Sequence, residues 1–117
     1  MILTAVRNTA GAGAADTVAL LGGPKGHHHL FQADLSQPEE VERLVGDVFA
    51  WGPEIIGVVN NAAIYDEVPM LSASVSYEQW QQHWSSVLST NLSSVANLCF
   101  CVARRWAAAD KAGSIVK

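Results

Sequence analysis

Apolar positions along this chain fall into short, nearly continuous runs. Between the runs they recur every three or four residues. Ile2-Leu3-Thr4-Ala5-Val6 and Leu30-Phe31-Gln32-Ala33 are runs of strand formers, the second ending at Asp34. Ile55-Ile56-Gly57-Val58-Val59 is the most apolar run, of the kind covered on both faces in a parallel sheet. It leads directly into Asn60-Asn61-Ala62-Ala63, and Ser114-Ile115-Val116 begins a fourth run. The intervening stretches have helical spacing. Asn8 or Thr9 caps a helix to about Leu21, striped by Ala14, Ala15, Val18 and Leu21 and stopped by Gly22-Gly23-Pro24. Lys25 to His29 follows as a polar loop. Ser36-Gln37-Pro38-Glu39 predicts a capping box with proline in the first turn. Val41, Leu44, Val45, Val48 and Phe49 then share one face as far as Gly52-Pro53. After a loop over 64–75, Ser76 and Gln79 form a second capping box. It starts a helix from about Tyr77 to Asp110, roughly 50 Å long at ~1.5 Å per residue, with Gly113 as its stop. Strand and helix alternate throughout, which implies an α/β sheet with right-handed crossovers in one domain, 1–117, free of repeats and linkers.

The long helix contains an anomaly. At ~100° per residue, Trp80, Trp84, Val87, Leu88, Val95, Leu98, Val102 and Trp106 share one stripe, and Asn91 falls in its middle. An amide in an apolar seam costs on the order of 1–3 kcal/mol unless hydrogen-bonded. Asn91 therefore either bonds a backbone group beneath it or serves a site. Three further candidates sit at strand ends, where open α/β sheets bind ligands. Asn60-Asn61-Ala62-Ala63 offers two amides and room for close approach, or is an ordinary turn. Asp34 accepts from the exocyclic amine of a base, or caps the following helix. Arg7 clamps a ribose phosphate, or is a solvated surface charge.

Composition narrows the partners. Seven Lys and Arg against eleven Asp and Glu give a net charge of −4, the wrong sign for a general nucleic-acid grip. No uninterrupted apolar run approaches a bilayer span, so no membrane partner is expected. Charged residues are only 15%, below the ~25% of an ordinary soluble domain, which predicts that some apolar surface stays uncovered. Cys99 and Cys101 lie about 200° apart on a helix and cannot pair, consistent with packing thiols in a reducing compartment. Two other signals fail. Gly11-Ala12-Gly13 resembles a dinucleotide fingerprint, but Asp16 occupies its third small position and would repel pyrophosphate. His27-His28-His29 has no Cys, Asp or Glu at ligand spacing, so no metal is expected.

Five landmarks in order resemble the short-chain dehydrogenase/reductase family: Arg7 closing a strand, Asp34-Leu35, Asn60-Asn61-Ala62-Ala63, Thr90-Asn91-Leu92, and Gly113-Ser114-Ile115-Val116. The chain is most similar to the 3-oxoacyl-carrier-protein reductase-like branch. The resemblance implies a partial Rossmann-type doubly wound parallel sheet holding family strands two to five, with the first strand missing. It implies that Asp34 binds the adenine amine beside the Leu35 backbone. Asn60, Asn61 and Ala62 would border the adenosine ribose, with Ala63 where glycine is more frequent. Asn91 would be the helix-embedded amide of a catalytic tetrad, holding a water in a proton relay. Arg7 favours NADP, with NAD as the alternative cofactor.

The family's Gly-rich turn would lie upstream of Met1, and its catalytic Ser, Tyr and Lys beyond Ser114, so the resemblance implies a chain truncated at both ends. Tyr77 has Gln81 four residues on, not Lys. The expected function is thus a piece of an NAD(P)(H)-dependent oxidoreductase acting on a small carbonyl or alcohol substrate, inactive alone. One alternative is a non-catalytic protein pairing as a homo- or hetero-oligomer through the 77–110 helix. Another is a weak adenosine binder. The expected compartment is cytoplasmic, or a plastid where a targeting segment has been lost. In the order 3-2-1-4-5 the missing strand leaves two apolar inner edges and a weakly cooperative fold.

Overall fold

A computed structural model describes residues 3–6, 16, 18–20, 28–52, 54–65, 67–69 and 71–117. Strand β1 spans Leu3–Val6 and β2 spans His29–Gln32. Helix α1 spans Pro38–Trp51, and β3 spans Gly57–Val59. Helix α2 (Tyr77–Leu88) runs through a π-helical turn, Ser89–Ser93, into α3 (Ser94–Ala108), and β4 is Ser114–Val116. The expected helix over 8–21 lies largely outside the described residues, but residues 16 and 18–20 are helical. His29 belongs to β2 rather than to the preceding loop, its ring tilted against Phe31 and Trp51 at centroid distances of 4.4 and 5.3 Å.

The strands form two separate parallel pairs. β1 lies beside β2 from Leu3↔His29 to Val6↔Gln32, and β3 beside β4 from Gly57↔Ser114 to Val59↔Val116. No ladder joins the pairs among the described residues. This is the break expected of a doubly wound sheet lacking one central strand. One expectation fails here. The run 55–59 is not covered on both faces: Ile55 is buried and Val58 half-buried, but Ile56 and Val59 remain 77% and 71% exposed.

The core lies between the helices and the sheet. Val41, Leu44, Val45 and Val48 of α1 are buried, as are Val102 and Trp106 of α3, with Ala33 and Ile55 completing the set. Leu35, Phe49, Leu98 and Cys101 pack around seven of these residues. The Trp106 indole Nε1–H donates to the Ile55 carbonyl over 2.6 Å, which satisfies a polar atom inside this core.

Both capping boxes were legible, but only one forms. Ser76 Oγ accepts from Gln79 N (3.1 Å) and Gln79 Oε1 from Ser76 N (2.8 Å). At the other, the N-cap is Gln37 and makes no side-chain cap. Ser36 instead donates its N–H and its hydroxyl to Asp34 Oδ1 at 3.0 and 2.7 Å, and Glu40 accepts from Asp34 N over 2.7 Å. A carboxylate two residues upstream captures the serine as an Asx turn, and Pro38 at the first helical position has no N–H to be capped.

The long helix ends at Ala108, earlier than Asp110. Asp110 takes the left-handed conformation (φ 52°), Lys111 N donates to Trp106 O and Asp110 N to Ala107 O, which is a Schellman termination. Gly113 is therefore not the stop. A Cβ built on it would fall 2.3–2.5 Å from atoms of the Trp106 ring, so glycine there is what lets the indole lie against the chain entering β4. Tyr77–Ala108 is also long and apolar enough to cross a membrane, although Ser, Thr and Asn interrupt it and no single run predicted this. In this fold its α3 half supplies Val102 and Trp106 to the core.

Gly113→Ala is expected to lower stability by about 1–3 kcal/mol through overpacking against the indole. Asp110→Gly is expected to raise it by about 1 kcal/mol by relieving the left-handed strain. Urea midpoints read by tryptophan fluorescence check both, and the two substitutions must move the midpoint in opposite directions.

Candidate functional site

The site is assembled at the carboxyl end of β3. The Asn60 N–H donates to the Val116 carbonyl over 2.8 Å, so the ladder with β4 continues into the first of the paired asparagines. The Asn60 carboxamide Nδ2 points toward Cys99 Sγ at 3.8 Å, a weak contact that orients it toward α3. Asn61, Ala62 and Ala63 follow as an exposed ledge. At Ile64 the chain meets the long helix. Asn91 Oδ1 accepts from Ile64 N over 2.9 Å, and Asn91 Nδ2 donates to Ile64 O over 2.8 Å. One carboxamide thus satisfies both backbone groups of one residue, as a neighbouring strand would.

The helix deforms where this happens. Residues Ser89–Ser93 widen into a π turn, and Ser94 N reaches back to Ser89 O. The Ser94 hydroxyl donates to the Thr90 carbonyl, which satisfies a buried serine in an apolar layer. A π turn inside an α-helix is a frequent marker of a functional position. Only one lone pair and one N–H of the Asn91 carboxamide go to Ile64, so each of its polar atoms retains capacity for a further partner.

The other candidates separate into three groups. Asn60, Asn61, Ala62 and Ala63 share the β3 corner with Asn91, joined through Ile64. Asp34 and Leu35 close β2, in the other sheet. There Ser36 holds the Asp34 carboxylate in a fixed orientation, and Leu35 packs on the core. The Asp34 carboxylate does not cap the following helix: it bonds Ser36, ahead of the Gln37 N-cap, in an Asx turn. Arg7 lies outside the described residues. Ile64 is the participant that the residue pattern did not single out. Its part is played by backbone atoms, and the only signal for it was a buried amide in need of a partner.

Two open grooves flank the helix, and neither is lined by the asparagine corner. One, of about 570 Å³, is bordered by Ser36, Gln37, the polar face of α2 from Gln81 to Ser86, and Ser89 of the π turn. The other, of about 540 Å³, lies between the loop Tyr65, Glu67, Val68, Pro69 and the side chains of Trp80, His83 and Trp84. In this loop the Tyr65 hydroxyl donates to Glu67 Oε1 over 2.6 Å. The bond favours the neutral phenol and holds its pKa above the ordinary 10.0.

A family model for short chain dehydrogenases matches residues 2–117. The chain is 32% identical over 116 residues to a mouse (Mus musculus) (3R)-3-hydroxyacyl-CoA dehydrogenase, covering 91% of this chain and 42% of that protein. A short chain dehydrogenase from Mycobacterium smegmatis superposes with a TM-score of 0.77 at 22% identity, over 97% of this chain and 43% of the other. A metagenomic short-chain oxidoreductase solved with NADP superposes with a TM-score of 0.70 at 20% identity, over 97% and 48% respectively. The chain thus spans less than half the length of these relatives.

Asn91→Leu removes both partners of Ile64 and is expected to cost about 1–3 kcal/mol for each polar group left unsatisfied. Hydrogen exchange of the Ile64 amide should then accelerate. Asn91→Asp keeps the acceptor and loses the donor, so it should preserve the slow Ile64 amide better than leucine does. Equal exchange in all three proteins would show that the clamp does not hold the loop. Glu67→Gln is expected to bring the Tyr65 titration down toward the unperturbed value, read from tyrosinate absorbance against pH.

Proposed function

The chain belongs to the short chain dehydrogenase family, and from that membership we propose that it forms part of an NAD(P)(H)-dependent oxidoreductase working by hydride transfer on a carbonyl or alcohol substrate. The observation that carries this reading is the Asn91 clamp on Ile64, which ties the π turn of the long helix to the ledge Asn60–Ala63 at a strand's carboxyl end. Such corners are where open α/β sheets receive ligands.

The residues present fit the adenosine side of a dinucleotide. Asp34 presents a carboxylate whose Oδ1 is anchored by Ser36 and whose backbone N–H is held by Glu40, so the acceptor is preorganised. Leu35 supplies apolar surface beside it. The exposed small side chains of Ala62 and Ala63 allow close approach next to the two asparagine amides. Arg7 selects NADP through the 2′-phosphate, and NAD is accepted less well. When bound, the nicotinamide supplies the hydride. Asn91 holds the ledge in place through Ile64 and offers its remaining carboxamide capacity to a water.

These 117 residues do not turn over a substrate by themselves. In the reaction that the family resemblance implies, the proton donor is a tyrosine whose pKa is lowered by a neighbouring lysine. The Tyr77 hydroxyl is paired instead with Gln81 Nε2 at 2.9 Å, an uncharged partner. A second reading, a non-catalytic subunit that pairs through the long helix, is favoured by one observation. Trp84, Leu88, Leu92 and Phe100 are all exposed on that helix, and Trp80 and Trp84 stack with their planes 4° apart.

Titration with NADP, followed by tryptophan fluorescence, is expected to show weak saturable binding without carbonyl-dependent oxidation of NADPH. Asp34→Ala should weaken NADP and NAD alike by roughly tenfold, the value of one charge-assisted hydrogen bond. Arg7→Ala should weaken NADP only. Absence of binding together with stable co-purification of an intact relative would select the second reading.

A further inference from the structure

The groove between the Tyr65 loop and helix α2 combines aromatic surface with a negative charge. Trp80 and Trp84 stand four residues apart on α2, so both side chains fall on one side of it. Their ring planes lie within 4° of parallel with centroids 6.1 Å apart, and Tyr77 extends the row at 6.0 Å. On the loop side the Tyr65 hydroxyl is fixed on Glu67 Oε1, yet the residue stays 87% exposed. That bond places a phenol and a carboxylate together at the groove's edge. Val68 and Pro69 complete the loop wall, and His83 borders the helix side. The loop is tethered at Ile64, next to Tyr65, by the Asn91 carboxamide. No Lys or Arg is among the described residues that line the groove. Neither Asp34 nor the Asn60–Ala63 ledge lines it, so an occupant here is separate from a dinucleotide.

We propose that this groove binds a small organic cation with a fully alkylated ammonium group, its alkyl groups against the aromatic rings and Glu67 as its counter-charge. The sign of the charge follows from the lining. Aromatic faces carry negative π density and attract a cation within about 6 Å of the ring centroid. Glu67 adds a formal negative charge at the same place, and the net charge of −4 on the whole chain favours the same sign. The alkylation follows from the hydrogen bonds on offer. A bare ammonium brings three N–H donors, and each one left without an acceptor costs free energy once its water is displaced. The side chains of Trp80, Trp84, Val68 and Pro69 accept none of them. The carboxylate already accepts from Tyr65 through one oxygen. A trimethylated nitrogen keeps the charge and has no N–H to satisfy. Its methyl groups also cover aromatic surface that the chain leaves in water, at Tyr65 and at the half-exposed Trp84. The volume of about 540 Å³ is that of a small-molecule site.

The test uses the 117-residue chain and choline chloride, followed through the N-methyl proton resonance at constant ionic strength. Choline is expected to bind with a Kd of roughly 1 mM, and its methyl signal to move upfield as the rings shield it. The neutral isostere 3,3-dimethyl-1-butanol should bind at least about tenfold more weakly. Methylammonium, equally charged but with three N–H groups, should also bind about tenfold more weakly. Trp84→Leu keeps apolar bulk and removes a ring, so it should weaken choline about tenfold and leave the butanol unchanged. Glu67→Gln should weaken choline roughly threefold and remove the dependence of its binding on salt. Urea midpoints equal to that of the parent chain show that each variant has lost the site rather than the fold. Equal binding of choline and the butanol would overturn the proposal, since the groove would then be merely apolar. Tighter binding of methylammonium than of choline would overturn it in favour of a simple ion pair. No choline binding, or binding untouched by both substitutions, would overturn it too. Loss of choline binding as the chain concentration rises would give the groove to a second copy and overturn it as well.

Discussion

One helix holds the β3 segment at both ends. The Trp106 indole donates to the carbonyl of Ile55, just before the strand, and the Asn91 carboxamide pairs with both backbone groups of Ile64, just after it. Between those points β3 is only three residues long and, among the described residues, bonded on one side. A short strand with one neighbour has little stability of its own. Fixing its entry and its exit to a single rigid helix is what keeps the Asn60–Ala63 ledge in a defined place. The same helix adjusts to do this. The π turn at Ser89–Ser93 brings Asn91 onto the loop, and Ser94 takes up the Thr90 carbonyl inside that turn.

The break between the two strand pairs sets the chain's other properties. Each pair is parallel and internally complete, and the helical layer of α1 and α3 spans them with one aliphatic core. What the helices bury on one side is not matched on the other, where Ile56 and Val59 stay open to solvent. The low proportion of charged residues is thus accounted for by uncovered strand and helix faces rather than by a larger core. The stack of Tyr77, Trp80 and Trp84 along the exposed side of α2 belongs to the same account.

Legibility differed between residues for physical reasons. The stripe of α1 and the Ser76–Gln79 box depend on neighbours within one turn, so periodicity and spacing located them. The Ser36 box also matched its pattern, but Asp34 drew the Ser36 N–H and hydroxyl into an Asx turn, and a local pattern does not rank two competing turns. Gly113 matched a helix stop, while its actual constraint is the Trp106 ring packed against it from seven residues away. Asp110 took over the termination, a left-handed role that aspartate fills at some strain. At the site, Asn91 could be marked as an amide in need of partners, but Ile64 could not be marked as the partner.

The order of the described strands and helices, the apolar face of α1 and the position of one misplaced amide were settled by the sequence alone, because each is written in spacings of two to four residues. Tertiary structure decided the rest: which backbone answers Asn91, where the long helix widens, which glycine an indole requires, and which strand edges stay open. The two contacts that fix β3 join groups 27 and 51 residues apart, which become neighbours only when the helices close over the sheet.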